Sequence, residues 1–421
     1  MDFEPKLLLI PVIAGVIGYG TNWVAVKMLF FPVHFHGFRI PGLSILNSYL
    51  PRRIRAVPGV AHGGIGWQGI IPSRAAKMGS ISVDKGIAKL GSPSEFYGKL
   101  EPDKIAEHIV ATSGDEIWEL VESILQREHP NLWADLPPQI RQAVRTRMEA
   151  ELPALVKEIT DDIGNNIDHL LDIKLMVIRR IEARPELANR IFLEVGQKEM
   201  NFIVNSGLIF GFLLGLPQIP LFAAFDQWWI LPIGGVVVGY LTNAIALRVI
   251  FQPVHPQRVG PFTVQGLFLR RQREVAGVYS RIIAEDVVNL KNIGNELMHG
   301  RQSDRTKRMI ADRMRPAIDR AVGIARPAVR IAVGTKEYDA IRDSLAAEAV
   351  GHTMAPLSDP EFNRSQSDAV RALLEERMET MDPEDFSEML RTAVVEDEWM
   401  LIMLGAMLGF LAGVLQIAFV F

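Results

Sequence analysis

One block of sequence occurs twice in this chain, and each time it lies in an apolar segment. Residues 18–34 read GYGTNWVAVKMLFFPVH, and residues 239–255 read GYLTNAIALRVIFQPVH. A second, shorter echo links GFLLGLPQI at 211–219 with GFLAGVLQI at 409–417. Such self-similarity predicts two tandem copies of one structural unit, and the apolar setting predicts that each copy is anchored in a membrane.

Nearly all of the charge lies in two long intervals, although 22% of the residues are charged and 48% are hydrophobic. Four segments contain no Asp, Glu, Lys or Arg, namely 7–26, 202–225, 228–247 and 399–421. Each is long enough to cross a hydrocarbon layer of roughly 30 Å as a helix. The sequence therefore predicts an all-α integral membrane protein with four transmembrane helices in two tandem parallel repeats. The predicted division is span 1 in 1–33, a helical region in 34–200, span 2 in 201–225, span 3 in 228–251, a second helical region in 252–398 and span 4 in 399–421.

Four spans place both chain ends on one side of the membrane and both helical regions on the other. Basic residues cluster just after the first and third spans, whereas the opposite side receives little more than MDFEPK and the turn at 226–227. Positive residues favour the cytoplasm, so both helical regions are expected there. MDFEPK is acidic where a signal peptide is basic, so the first span is expected to be retained.

The two charged intervals carry the same helical periodicity. In each, apolar residues follow one another in steps of four and three, at Ile140, Val144, Met148, Leu152, Leu155, Ile159 and Ile163 and at Ile310, Met314, Ile318, Val322, Ala325, Val329 and Val333. This spacing predicts long amphipathic helices that pack together or against another subunit. Pro153, Pro316 and Pro327 predict kinks. A Gly/Pro-rich stretch at 37–72 is either a segment lying at the membrane interface or an ordinary long loop.

The duplicated block carries a family resemblance. Its pattern of GY, TN, Ala, Lys or Arg, Phe and Pro resembles the signature of a bacterial membrane protein family filed as domain of unknown function 445. The same resemblance extends to Gly69–Arg74 and Gly266–Arg271, where Leu269 departs from the family's proline, and to Asp397, Glu398, Trp399, Gln416 and Ile417. It covers essentially the whole chain and implies a bacterial inner-membrane protein with large helical cytoplasmic regions. It implies no catalytic residue.

Polar side chains lie inside two predicted spans, at Thr21, Asn22, Thr242 and Asn243. An amide in hydrocarbon is costly unless it is hydrogen-bonded, and the two copies offer each other a partner, with Asn22 near Asn243. These residues are either polar glue between helices or part of a polar path, an ion site or a headgroup site. Small residues that would permit a close helix approach flank both pairs: Gly15, Gly18, Gly235 and Gly239.

Basic residues near the ends of these spans predict contact with lipid headgroups. Lys27 and Arg248 stand at the same place in the two copies, about one and a half turns past the asparagines. Their default role is to reach the headgroup level, and a specific version is binding of an anionic lipid phosphate. Arg270 and Arg271 are further candidates for the same contact.

Several classes of protein are disfavoured. The chain has no cysteine, so thiolate metal sites and cysteine nucleophiles are excluded. His34 and His36 form an HxH pair, and His255 repeats only the first, without further ligands of the expected spacing. Nucleotide-binding loops and hydrolase motifs are missing from the sequence, and a net charge of −4 does not suit a polyanion binder. We therefore expect no enzyme activity, catalytic residue, cofactor, metal or nucleic acid.

Two functions remain. The first is a non-enzymatic scaffold or envelope-organising protein of the bacterial inner membrane, whose helical cytoplasmic arms self-assemble as a homo-oligomer or bind partners. The alternative is a lipid-handling or transport protein that uses the Thr-Asn sites with Lys27 and Arg248. That alternative also draws on Pro217 and Pro220, which predict a break in the second span.

Overall fold

The computed structural model describes residues 9–39, 49, 64–128, 130, 134, 137–225, 227–323, 326–352 and 356–420. Nearly all of the elements are helices. In chain order they are α1 Leu9–Phe30, β1 His36–Arg39, β2 Gly64–Trp67, α2 Ile70–Ser73, α3 Ala75–Ile81, a π-helical turn Ser82–Ile87, α4 Ala88–Leu90, α5 Pro93–Lys99, α6 Pro102–Glu128, α7 Pro138–Leu170, α8 Ile173–Ala183, α9 Pro185–Gly215, α10 Gln218–Phe225, α11 Ile230–Phe251, β3 Gln257–Val259, β4 Phe262–Val264, α12 Leu267–Arg270, α13 Gln272–Ile282, a π-helical turn Ile283–Val287, α14 Leu290–His299, α15 Ser303–Val322, α16 Arg326–Val333, α17 Thr335–His352, a 3₁₀ turn Pro356–Ser358, α18 Pro360–Thr380 and α19 Pro383–Val420.

The chain forms two compact units. The first, which we call the span unit, comprises Met1–Lys89, Ile178–Tyr279 and Glu375–Phe421. The second, which we call the helical unit, comprises Leu90–Val177 and Ser280–Leu374. The chain enters the helical unit twice, so neither unit is a continuous stretch of sequence.

Among the described residues of the span unit, three helices are long and apolar enough to cross a membrane: α1, α11 and the Glu398–Ile417 part of α19. Their outward side chains are apolar too, since Val12, Val16 and Trp23 of α1 and Leu415 of α19 are all exposed. Exposed aliphatic surface of this kind on a long helix suits lipid rather than water. The structure is thus predominantly helical with three candidate membrane-spanning helices, which is the coarser part of the all-α membrane fold expected from the sequence.

The segment predicted as span 2 is broken. Helix α9 ends at Gly215, and α10 begins at Gln218. Pro217 lies between them, and proline removes a backbone donor and clashes with the carbonyl one turn earlier. The charge-free residues are therefore shared between two helices, and neither part alone has the length and hydropathy of a span.

Two short β-hairpins follow α1 and α11. Strand β1 pairs antiparallel with β2, and β3 pairs antiparallel with β4. Each hairpin is closed in the same way, because the backbone N–H of Gly69 donates to the Pro32 carbonyl at 2.9 Å and that of Gly266 donates to the Pro253 carbonyl at 2.9 Å. The prediction made for 37–72 lies mostly outside the described residues, since 40–48 and 50–63 are among those left out.

The helical unit is built on α7, which packs against both α6 and α15. Buried Leu152 and Val156 of α7 contact Ala106 of α6, and Ile159 of α7 packs on Ile310 of α15. The two predicted apolar faces therefore meet within one chain. This contact accounts for the periodic pattern without a second subunit.

Pro153 and Pro316 stand inside their helices and do not end them, and the kinks predicted at Pro153, Pro316 and Pro327 stay a prediction. Pro327 is the second residue of α16. The second apolar face is broken after Val322, because Gly323 adopts φ +58°, a conformation that glycine enters at little cost. Ala325 lies outside the described residues.

Candidate functional site: two glycine-packed helix pairs

Within the span unit, α1 packs on α9, and α11 packs on α19, at backbone contact. A Cβ atom added at Gly18 would lie 2.3 Å from the Gly207 carbonyl oxygen. One added at Gly239 would lie 2.1 Å from the Gly405 carbonyl oxygen. Any side chain at these positions would force the helices apart, so glycine is required for the close approach.

Each helix pair is also joined by one buried asparagine. Asn22 Nδ2 donates to the Ile203 carbonyl of α9 at 2.8 Å, and Asn243 Nδ2 donates to the Leu401 carbonyl of α19 at 2.9 Å. Both asparagines are fully buried. The prediction that the two asparagines are each other's partner was wrong. Each amide donates to a backbone carbonyl of the helix packed against its own, α9 for Asn22 and α19 for Asn243.

The neighbouring threonines bond within their own helices. Thr21 Oγ1 donates to the Gly18 carbonyl at 3.2 Å, and Thr242 Oγ1 donates to the Gly239 carbonyl at 3.3 Å. The side-chain oxygens of Asn22 and Asn243 are buried and have no hydrogen-bond partner among the described residues. Each pair thus keeps one unused acceptor in an apolar setting.

A small cavity of about 20 Å³ lies beside these contacts and is lined in part by Thr21, Gln218 and Gln416. It is large enough for about one water molecule. Gln416 Nε2 is buried without a hydrogen-bond partner in the described part of the chain. The two glutamines occupy equivalent places in the repeated GFLxG…QI motif, but neither was predicted as a site residue.

Lys27 and Arg248 both lie in the last turn of their helices, α1 and α11, and both are exposed. Lys27 Nζ stands 5.4 Å from the centre of the Phe31 ring. Basic side chains at this end of a helix complement its dipole and remain available to an anion. Their placement matches the predicted headgroup contact in position, while the contact itself stays a prediction.

Arg271 is engaged by carboxylates. Its Nη1 lies 2.6 Å from Glu199 Oε1, and its Nη2 lies 2.8 Å from Glu274 Oε1. Hydrogen bonds from Arg271 and Lys198 lower the pKa of Glu274 to about 2. Because Glu199 is almost fully buried, Arg271 serves first as its counter-charge. Arg270, its exposed neighbour, is the one of the two that faces solvent.

The hairpins after α1 and α11 present apolar side chains at their surface. Phe38 and Ile65 are exposed in the first hairpin, and Phe262 and Val264 are exposed in the second. Gln68 Nε2 donates to the Val33 carbonyl at 2.8 Å, and Gln265 Nε2 donates to the Val254 carbonyl at 3.1 Å. These glutamine bonds hold each hairpin against the end of the helix that precedes it.

The histidines flagged by the sequence pair with single carboxylates. His34 Nε2 lies 3.6 Å from Glu186 Oε1, and His255 Nε2 lies 3.2 Å from Glu384 Oε1. His36 Nδ1 lies 2.8 Å from the His34 carbonyl oxygen. Among the described residues, no group of three His, Asp or Glu side chains could hold a metal ion.

Fold and site together define a predominantly helical membrane protein with glycine-packed helix pairs. Over 71 residues the chain is 35% identical to a UPF0754 membrane protein of Shouchella clausii (strain KSM-K16). The match covers 16% of this chain, and the chain spans only 18% of the length of that relative. No family model matches the chain. The similarity is therefore partial, and it points to an uncharacterised family of bacterial membrane proteins.

Proposed function

We propose that this protein is a non-enzymatic scaffold of the bacterial inner membrane, made of two tandem copies and belonging with the family filed as domain of unknown function 445. The glycine-packed helix pairs carry this proposal. Backbone contact at Gly18 and Gly239, with Asn22 and Asn243 bonded across each pair, makes the membrane part a rigid anchor. A rigid anchor suits a protein that presents helical arms for self-assembly or partner binding.

The proposal includes four spans in two parallel copies. The second span is formed by the apolar end of α9 together with α10. Leu208 and Ile209 of α9 and Leu221 of α10 are exposed. Support for the copies comes from contacts that recur in the same order: a glycine contact, an asparagine bond and a hairpin closed by a glutamine. Helix α9 packs on α1 in the first copy, and α19 packs on α11 in the second.

The proposed orientation places both helical regions in the cytoplasm. Exposed basic side chains lie at the ends of α1 and α11 or shortly after them, among them Lys27, Arg248, Arg258 and Arg270. Such residues favour the cytoplasmic side. Trp228 and Trp229, between α10 and α11, are both exposed, as expected of aromatic residues at the opposite interface.

The scaffold proposal is tested by the assembly state. The full chain is extracted from membranes with its surrounding lipid and analysed by native mass spectrometry. A defined homo-oligomer, or a stoichiometric protein partner, is expected at several dilutions. A monomer at every dilution with no co-purifying protein would contradict the scaffold.

The alternative, a lipid-handling or transport function at the Thr-Asn sites, is supported by one specific observation. The buried side-chain oxygens of Asn22 and Asn243 have no partner in the described residues, so each is an acceptor that a transported group could use. In the same spectra, a bound anionic lipid that is lost in Lys27→Gln with Arg248→Gln would favour this function. Lys174→Gln, at an exposed lysine of α8, is the matched control and should retain the lipid.

A further inference from the structure

The helical unit contains an apolar cavity of about 230 Å³ between α6, α7, α15 and α17. Aliphatic side chains form most of its wall, including Leu155 and Ile159 of α7 and Ile318 of α15. The predicted apolar face of α7 therefore does more than pack on its neighbours. It also lines a partly open cavity of the unit.

The size of the cavity suits a flexible hydrocarbon group. It is about half as large again as the roughly 150 Å³ engineered apolar cavity that stays dry and binds benzene. Ile140, at one end of its α7 wall, is 38% exposed, whereas Leu152, further along, is only 6% exposed. The wall is thus more exposed at Ile140 than at Leu152, and an elongated ligand that enters from solvent would do so at the Ile140 end.

One polar side chain in the wall of the cavity lacks a hydrogen-bond partner among the described residues. Ser113 of α6 is 5% exposed, and its Oγ has no hydrogen-bond partner in the part of the chain that the structure describes. A buried hydroxyl without a partner is costly in apolar surroundings. An acceptor oxygen on a molecule in the cavity would remove that cost.

A ligand that complements this cavity therefore combines two chemical features, an aliphatic chain and an acceptor oxygen. Arg141 adds a positive charge to the accessible end, beside Ile140, which favours an anion there. Fatty acyl groups combine these features. A membrane-anchored protein also has a permanent supply of such groups in the surrounding lipid.

We propose that the cavity of the helical unit binds a single fatty acyl chain, with the Ser113 hydroxyl donating to an oxygen of its carboxyl or ester group. The site is separate from the Thr-Asn pairs and does not depend on the scaffold function. Its ligand comes either from a free fatty acid or from a phospholipid, which present the same chain chemistry.

The test uses the full chain in lipid nanodiscs and two photoreactive probes. One probe is palmitic acid with a diazirine at the chain end, and the other is phosphatidylglycerol carrying the same chain. After irradiation, labelled peptides are mapped by mass spectrometry, with unlabelled palmitate as competitor. Labelling of α6 and α7 peptides that line the cavity, suppressed by competitor, supports the proposal. Whichever probe labels them identifies the source of the chain.

Matched variants separate the cavity from general lipid contact. Ala317→Phe fills the cavity from the α15 wall and should reduce this labelling at least tenfold, whereas Ala111→Phe, at an exposed alanine of α6, should not. Ser113→Ala should raise the half-saturating palmitate concentration about fivefold, the value of one hydrogen bond. Ser123→Ala, at an exposed serine of the same helix, should leave it unchanged.

Thermal unfolding of each variant shows whether the fold is kept, and Ser113→Leu is the second filling variant if Ala317→Phe does not fold. Labelling confined to the spans of the wild-type protein would overturn the proposal. Equal labelling of the cavity peptides in the filled variants and in Ala111→Phe would overturn it as well.

Discussion

Replacement of Gly18 by alanine tests the central claim that the helix pairs are in backbone contact. The added Cβ would lie 2.3 Å from the Gly207 carbonyl oxygen and 3.0 Å from its carbonyl carbon. Relief to an ordinary contact near 3.4 Å requires α1 and α9 to separate by about 1 Å. The Asn22 bond to the Ile203 carbonyl, 2.8 Å long, would then be stretched beyond hydrogen-bonding length.

The expected cost follows from these two effects. Overpacking costs about 1–3 kcal/mol, and loss of an interhelical hydrogen bond in a membrane adds roughly 0.6–1.7 kcal/mol. Alanine recovers up to about 1 kcal/mol of helix propensity relative to glycine. We therefore expect Gly18→Ala to lower the free energy of unfolding by about 1–4 kcal/mol.

Gly20 offers the matched control on the same helix, because a Cβ there meets nothing within 4 Å. Gly20→Ala should be neutral or stabilising by up to about 1 kcal/mol. The free energy of unfolding is measured by titrating bicelle-embedded protein with sodium dodecyl sulfate and following tryptophan fluorescence. Equal stability of Gly18→Ala and Gly20→Ala would refute the backbone contact, as would a neutral result for Gly239→Ala in the second pair.

Three further outcomes rest on contacts of the span unit. Asn22→Leu and Asn243→Leu should each lower the free energy of unfolding by roughly 0.6–1.7 kcal/mol. The two effects should add without coupling in the double variant, because the partners of the asparagines lie on different helices. A coupling energy as large as either single effect in the same titration would favour a direct Asn–Asn pair instead. Arg271→Ala should lower the free energy of unfolding by about 3–5 kcal/mol because it leaves the buried Glu199 carboxylate unpaired. Arg270→Ala, the control, should barely change the midpoint of thermal unfolding. Equal midpoints for the two variants would contradict the pairing of Arg271 with Glu199. Since the folded-state pKa of Glu274 is about 2 rather than 4.5, its carboxylate stabilises the fold above about pH 4.5, and that contribution is lost as the pH falls toward 2. Glu274→Gln should therefore flatten the acid-unfolding profile between these values, and an unchanged profile would refute the linkage.

The elements that sequence reasoning found are those with a one-dimensional signature. Charge-free runs predicted α1, α11 and the end of α19, and Pro217 predicted the break after Gly215. The apolar face from Ile140 onward predicted a long helix. In each case the deciding property belongs to the residues themselves and to their spacing, so no partner had to be known.

What escaped prediction depends on atoms that carry no such signature. Asn22 and Asn243 stood out as buried amides, but their partners are backbone carbonyls, which every residue possesses. The pairing of Arg271 with Glu199 joins residues far apart in the chain, and Arg271 instead resembled a lipid-facing basic residue. The end of α15 at Gly323 was hidden, since the apolar spacing continues past it. Burial and long-range contact decide these cases.

The lengths of α9 and α19 have a mechanical consequence. With 31 and 38 residues, they measure about 46 and 57 Å at a rise of 1.5 Å per residue, well beyond the roughly 30 Å of hydrocarbon. Long helices curve gently, and sharp kinks arise only at specific features such as an internal proline or a π-bulge. A 10° change of tilt would swing the far end of α19 by about 10 Å. In the proposed four-span arrangement, helix tilt would adjust to bilayer thickness, and thinning or thickening of the membrane would then move Pro383 and Pro185.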